Sequence, residues 1–154
     1  MHIRPLTTTD QSFLWDLLYH AIFVEPGTPP PSRDIVYHPQ LAQYVEQFGQ
    51  WTGDYGVVAE EEKRCVGAAW VRLIDGYGFV DAQTPELTIA VLPECQGRGI
   101  GTQLLQRLCD DLKPTVLQIS LSVTWINPAR RLYERMGFEL VTLAEGTATM
   151  KKRL

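Results

Sequence analysis

Apolar positions along the chain keep changing their spacing, and each change marks an element. Leu117, Ile119, Leu121 and Val123 alternate with Gln118, Ser120, Ser122 and Thr124, a period of two that predicts a strand with one apolar face. Upstream, Ile100, Leu104, Leu105, Leu108 and Leu112 fall on one stripe of a helix from about Gly99 to Leu112, and Pro114 blocks its continuation. Before that helix, Leu87, Ile89 and Val91 alternate along a strongly apolar strand that opens at Glu86 and that Pro93 ends. Strand, turn, helix and strand together make a βαβ crossover.

The flanks follow the same logic. Ile3 to Leu6 reads as a short strand; Thr7, Thr8 or Thr9 can cap the next helix, in which Phe13, Leu14, Leu17, Leu18, Ala21 and Ile22 recur at helical spacing. A second helix is expected over Pro39 to Phe48, with Leu41, Ala42, Val45 and Phe48 inward. Tyr55 to Ala59 and Cys65 to Leu73 form a hairpin across Glu61 to Arg64, and Phe138 to Leu143 pairs with Thr147 to Lys152 around Glu145 and Gly146. Two stretches resist assignment. Glu25 to Asp34 holds four prolines in ten residues, a stiff surface loop or one wall of a binding site, and Ile74 to Pro85 contains the aromatic GYGFVDAQT.

The junction from Glu86 to Gly101, ELTIAVLPECQGRGIG, carries most of the chemical information. A strand runs into a glycine-rich turn and then into a helix whose free N–H groups and positive dipole end face the turn, an arrangement that suits pyrophosphate. A dinucleotide fingerprint needs GxGxxG and an acidic residue about 20 residues on. Here the glycines read GxGxG, and no GK[ST] follows to make a Walker loop. Further on, Asn127 to Phe138 reads NPARRLYERMGF: Asn127 suits an N-cap, Pro128 the first helical position and Gly137 the closing residue of a helix about ten residues long.

Gln96, Gly99 and Gly101 meet the pattern Q/RxxGxG/A, and with NPARRLYERMGF the chain resembles the GNAT superfamily of acyl-CoA N-acyltransferases. The resemblance is specific from about Glu86 to Phe138. It implies one α/β (α+β) domain over 1–154: a mixed, largely antiparallel sheet flanked by helices, in the order β α α β β β α β α β β. Its fourth and fifth strands would splay apart, with acetyl-CoA entering the gap from one side and an amine from the other. The co-substrate would be held by backbone groups from Gly97 through Arg98, Gly99, Ile100 and Gly101 to Thr102. Arg98 would add charge, Gln96 complete the motif, Val91 present its backbone to the pantetheine, and Asn127 contact that arm as well as cap its helix.

Tyr133 matches the family's motif tyrosine, which the resemblance places beside the thioester sulfur. A phenol of pKa about 10 can donate to a departing thiolate of pKa about 8.5. Ala129, Leu132, Tyr133 and Met136 also share one helix face, so a core role stands beside the catalytic one. Glu86 opens the fourth strand near where the family keeps a carboxylate that removes the amine's proton; a solvated strand-end glutamate fits equally. Glu25 is a further candidate for base or for binding a cationic acceptor. Trp51, Trp70, Tyr77, Phe79 and Trp125 are given no role.

Composition acts mainly by exclusion. A formal charge of -4 argues against a nucleic-acid surface and mildly favours amines. No apolar run reaches the length of a membrane span and the N-terminus has no h-region, so neither membrane insertion nor secretion is expected and a cytoplasmic location follows. Cys65, Cys95 and Cys109 lack CxxC spacing, and His2, His20 and His38 form no ligand pattern, so neither a disulfide framework nor a metal is expected. The expected function is transfer of acetyl from acetyl-CoA to a primary amine, most simply a small molecule, directly within a ternary complex. The alternatives are a protein lysine or N-terminal acetyltransferase, or a CoA-binding sensor without catalysis. A homodimer is compatible with the chain, and the sequence is silent on oligomeric state.

Overall fold

In the structure, a computed structural model that describes residues 1–154, one seven-stranded sheet runs in the order β1-β2-β3-β4-β5-β7-β6. The strands are β1 His2–Pro5, β2 Tyr55–Glu61, β3 Arg64–Arg72, β4 Glu86–Val91, β5 Gln118–Thr124, β6 Glu139–Ala144 and β7 Thr147–Arg153. Every pairing is antiparallel except that of β4 with β5. The helices are α1 Gln11–Ala21, α2 Pro39–Ala42, α3 Ile100–Leu112 and α4 Arg130–Arg135. This is the expected mixed, largely antiparallel sheet flanked by helices.

Alternation along the strands sends residues into two cores. Val57, Ala59, Ala69, Val71 and Leu87 pack with Leu104, Leu105 and Leu108 of α3, while Val58, Ala68, Trp70 and Ala90 pack with Leu14, Leu17 and Leu18 of α1. Both hairpin turns use left-handed backbone at two successive residues, Glu62 and Lys63 in one and Glu145 and Gly146 in the other, the twist-compatible way to join antiparallel strands. The last hairpin does not simply extend the sheet, because β7 lies between β5 and β6. Leu117, expected inward, is 80% exposed; it precedes β5, and its carbonyl accepts from Leu154 N–H at 2.9 Å.

The second N-terminal helix is much shorter than its apolar spacing predicts. It ends at Ala42, although Val45 and Phe48 are buried as expected. Its continuation is pre-empted by side chains of β3. Arg72 Nη1 donates to the carbonyls of Gln43 (2.9 Å) and Glu46 (2.6 Å), and Trp70 Nε1 donates to that of Tyr44 (2.9 Å). Those are the oxygens that further helical turns would have used. Arg72 is held in turn by a buried ion pair with Asp54 and by Trp51, whose ring centroid is 3.6 Å from the guanidinium carbon. The result is an irregular segment that carries Tyr44 toward the middle of the sheet.

Candidate active site

β4 and β5 share a single register pair, Glu86 with Ser120, and beyond it they splay. Leu92 N–H donates to Val66 O at 2.8 Å, so the antiparallel alternation turns the backbone groups of Ile89 and Val91 away from β3 and into the gap. Gln96 Nε2 donates to Val91 O at 3.1 Å, fastening the glycine loop to the strand end. Gly97 and Gly99 have φ of 78° and 79°, and a Cβ on either would meet nothing within 4 Å. These glycines therefore serve the turn itself rather than tight packing. From Gly97 to Thr102 the backbone N–H groups find no acceptor in the chain, leaving a row of free donors at the positive end of α3.

A groove of about 680 Å³ runs past this loop and is lined by Val91, Gln96, Gly97, Gly99, Ile100, Gly101, Thr102 and Asn127. Free donors, an open cradle and an unpaired strand edge together fit a pyrophosphate with a pantetheine arm. One expectation is corrected. Arg98 does not line the groove; both of its terminal nitrogens engage the Glu61 carboxylate, one at 2.9 Å, because the end of β2 offers a two-pronged partner. The groove's cation is instead Arg135, exposed in the last turn of α4 and free of any ion pair, and the imidazole of His20 at the end of α1 also lines it. Nothing in the sequence separates Arg135 from its neighbours Arg130 and Arg131.

Asn127 Oδ1 accepts from Ala129 N–H at 2.9 Å and so closes the turn that leads into α4, but Asn127 is not that helix's N-cap, because regular helix starts only at Arg130, after Ala129. The helix closes as Gly137 predicts. With Gly137 at φ 94°, Phe138 N–H donates to Tyr133 O at 2.9 Å and Gly137 N–H to Glu134 O at 3.1 Å, the reciprocal pair of a Schellman closure. The same closure sets the Phe138 ring edge-on to that of Tyr133 at 5.8 Å. Tyr133 is 9% exposed and its hydroxyl has no partner in the chain. Burial pushes its pKa up to about 12.

On the far side of Tyr133 lies a second cleft of about 340 Å³, which shares Ile89, Asn127 and Tyr133 with the first. Glu86 lies on its floor and is only 1% exposed, not a solvated strand end. Oε2 accepts from Tyr44 O–H (2.8 Å) and Gly78 N–H (3.1 Å), and Oε1 accepts from Gly76 N–H (2.9 Å). Burial lifts the carboxyl above its ordinary pKa, while the hydrogen bonds pull against that rise. The glycines of GYG are now explained. A Cβ at Gly76 would come within 2.9 Å of the Glu86 carboxylate, and one at Gly78 within 2.6 Å of the β5 backbone at Leu121. Tyr44 and Tyr77, which also line this cleft, were missed from sequence. Glu25 is exposed outside it.

Two clefts meeting at one unpartnered tyrosine across a splayed strand pair, one of them ending on a phosphate-type loop, define a CoA-dependent acyltransferase architecture. The sequence model of the GNAT acetyltransferase domain matches residues 52–140, and the chain belongs to that family. None of the curated proteins matches the chain in sequence. Among solved structures, it resembles the ribosomal-protein-alanine N-acetyltransferase of Brucella melitensis (23% identity, 100% of each chain covered, TM-score 0.71). It also resembles the PaiA N-acetyltransferase of Thermoplasma acidophilum in complex with coenzyme A (17%, 100% of each chain, TM-score 0.73). A third similar structure is a phosphinothricin acetyltransferase from Sinorhizobium meliloti in complex with acetyl-CoA (21%, 99% of this chain and 88% of that one, TM-score 0.68). No helix is long and apolar enough to cross a membrane, and no group of His, Cys, Asp and Glu could hold a metal ion.

Proposed function

We propose that the protein is an acetyl-CoA-dependent N-acetyltransferase that moves an acetyl group to the primary amine of a small molecule, directly and within a ternary complex. The observation that carries this reading is the meeting of the two clefts at Tyr133, with Glu86 on the floor of the cleft opposite the phosphate loop. Acetyl-CoA supplies an activated thioester. Backbone N–H groups from Gly97 to Thr102 hold its pyrophosphate, and Arg135 adds charge. The backbone of Ile89 and the N–H of Val91, which face the gap, pair with the pantetheine and give an N–H to the carbonyl oxygen as charge builds there.

Glu86 takes a proton from the acceptor's ammonium, directly or through water, and its raised pKa makes it a better base than an exposed carboxylate. The C–N bond forms as the C–S bond breaks. The Tyr133 hydroxyl, unpartnered and protonated, hydrogen-bonds the departing sulfur and gives up its proton as that sulfur gathers charge; the second proton of the amine, lost as the new C–N bond becomes an amide, restores the phenol through water, and the proton held at Glu86 returns to solvent. A phenol held at about 12 is a weak acid toward a thiol of pKa about 8.5, so most of its effect is as a donor to developing charge. Cys95 is buried in the loop with no adjoining base, which supports direct transfer over a thiol intermediate.

The Brucella relative acts on an alanine of a ribosomal protein, by its name. The second cleft here is walled by the end of α1, the segment around Ile35 and the GYG loop, which supports a small acceptor. The test is CoA release with a panel of amines and peptides, with the product identified by mass. Acetylated product from an amine supports the reading, and CoA binding without any product across the panel would leave a binding module.

A further inference from the structure

The acceptor cleft is chemically lopsided. No Lys, Arg or His lines it, and its only carboxylate is Glu86. Its apolar walls are Leu18, Ile22, Phe23, Ile35 and Leu41, its other polar lining is uncharged hydroxyl and amide, and the groups that bond Glu86 are the Tyr44 hydroxyl and the N–H groups of Gly76 and Gly78. At about 340 Å³ the space lies at the lower end of small-molecule pockets. We infer that the acceptor is a small apolar monoamine without a carboxylate or phosphate, its ammonium received at Glu86 and its hydrocarbon body held against the α1 wall. The inference rests on the transferase reading and narrows its substrate class.

The charge pattern decides between amines and amino acids. Glu86 accepts three hydrogen bonds but has no cation beside it, so an ammonium is the missing counter-charge. An α-amino acid would bring its own carboxylate within about 4–5 Å of Glu86, with no cationic side chain in the cleft to offset the repulsion. Two like charges at that distance in a partly dry site disfavour binding by about 10²-fold or more. A second ammonium, as in a polyamine, would find no second carboxylate in the cleft.

The experiment compares phenethylamine, phenylalanine amide and phenylalanine, which separate size from charge, with an alanine-initiated tetrapeptide as the bulky arm. Each is titrated directly onto the protein, both saturated with CoA and without CoA, and assayed for turnover, and CoA itself is titrated separately. The expected result is that phenethylamine and phenylalanine amide bind and react while phenylalanine is weaker by about 10²-fold or more. Ile35→Arg, at a rim position 36% exposed, should narrow that gap severalfold by offering the missing cation. Equal or better use of phenylalanine, or preference for the tetrapeptide, overturns the inference and leaves the transferase reading standing. Absence of CoA binding overturns the transferase reading instead, and the direct amine titrations, run without CoA, still rank the acceptors.

Discussion

Tyr44 and Glu86 stand 42 positions apart in the chain, and the phenol of one donates to the carboxylate of the other at 2.8 Å. The same phenol oxygen accepts from Tyr77 N–H at 2.9 Å, so Tyr44 is both a donor to the candidate base and an anchor for the loop that closes over it. Glu86 thus ties together β4, the irregular segment after α2 and the GYG loop. It does so with an acceptor-only group, which is what the surrounding donors require.

Tyr44→Phe removes the donor and strands Tyr77 N–H. Leaving a buried donor unpaired lowers stability by about 1–3 kcal/mol. Because the Tyr44 bond pulls the Glu86 pKa down, its loss raises that pKa further. The acid limb of the pH–rate profile should therefore move to higher pH. A raised carboxyl pKa in the folded state means stability present in acid and lost as pH climbs through it. The variant's deficit should accordingly be larger at neutral pH than below the unfolded carboxyl value of about 4.3. Thermal melts and rate profiles across that range check both.

Glu86→Gln is less innocent than its size suggests. Either orientation of the amide puts an –NH2 against a backbone donor, Gly76 N–H on one side or Gly78 N–H on the other. A loss of about 1–3 kcal/mol is expected, together with lower turnover that is most severe near neutral pH, where the acceptor arrives as ammonium. Turnover should recover toward wild type at alkaline pH as free amine becomes abundant. Parallel pH–rate curves for the two proteins would remove Glu86 from proton transfer and leave it structural.

The contrast between the two halves of the site explains what the sequence reveals. Gln96, Gly97, Gly99 and Gly101 act through local backbone, and so do Asn127 and Gly137 at the ends of their turn and helix; such features follow from neighbours a few residues away. The acceptor cleft is assembled from α1, the segment after α2, the GYG loop and β5, and its donors reach Glu86 across distances of 8 to 42 positions. Apolar spacing over Pro39 to Phe48 placed Val45 and Phe48 in the core but could not foresee that Arg72 and Trp70 would capture the carbonyls a helix needs. Arg98 looked free because Glu61 is 37 positions away.

Gly99→Glu tests the loop. At φ 79° any side chain is strained, and the open space around a Cβ there is where the phosphates are expected. A carboxylate in that space meets the pyrophosphate with like charge. CoA binding should fall by about 10²-fold or more, whereas Gly99→Ala, which carries the backbone strain without the charge, should weaken it much less. Calorimetry on both variants, with melts to show that they fold, separates the effects; similar losses would assign the glycine to backbone shape alone.

Tyr133→Phe isolates the hydroxyl. That group has no partner in the chain, so its removal strands nothing, and the ring keeps its edge-on contact with Phe138. Stability and CoA affinity should barely change, while turnover falls roughly 10²-fold, the scale of a positioned acid or donor. Since the phenol's pKa is pushed up to about 12, it stays protonated throughout an ordinary assay range. Its ionisation should therefore produce no fall in rate between about pH 7 and pH 10, and any alkaline limb seen there should persist in the variant. A limb in that range that disappears in Tyr133→Phe would mean that the tyrosine titrates far below the value its burial dictates. Unchanged turnover with a lowered melting temperature would place it in the core and out of the chemistry.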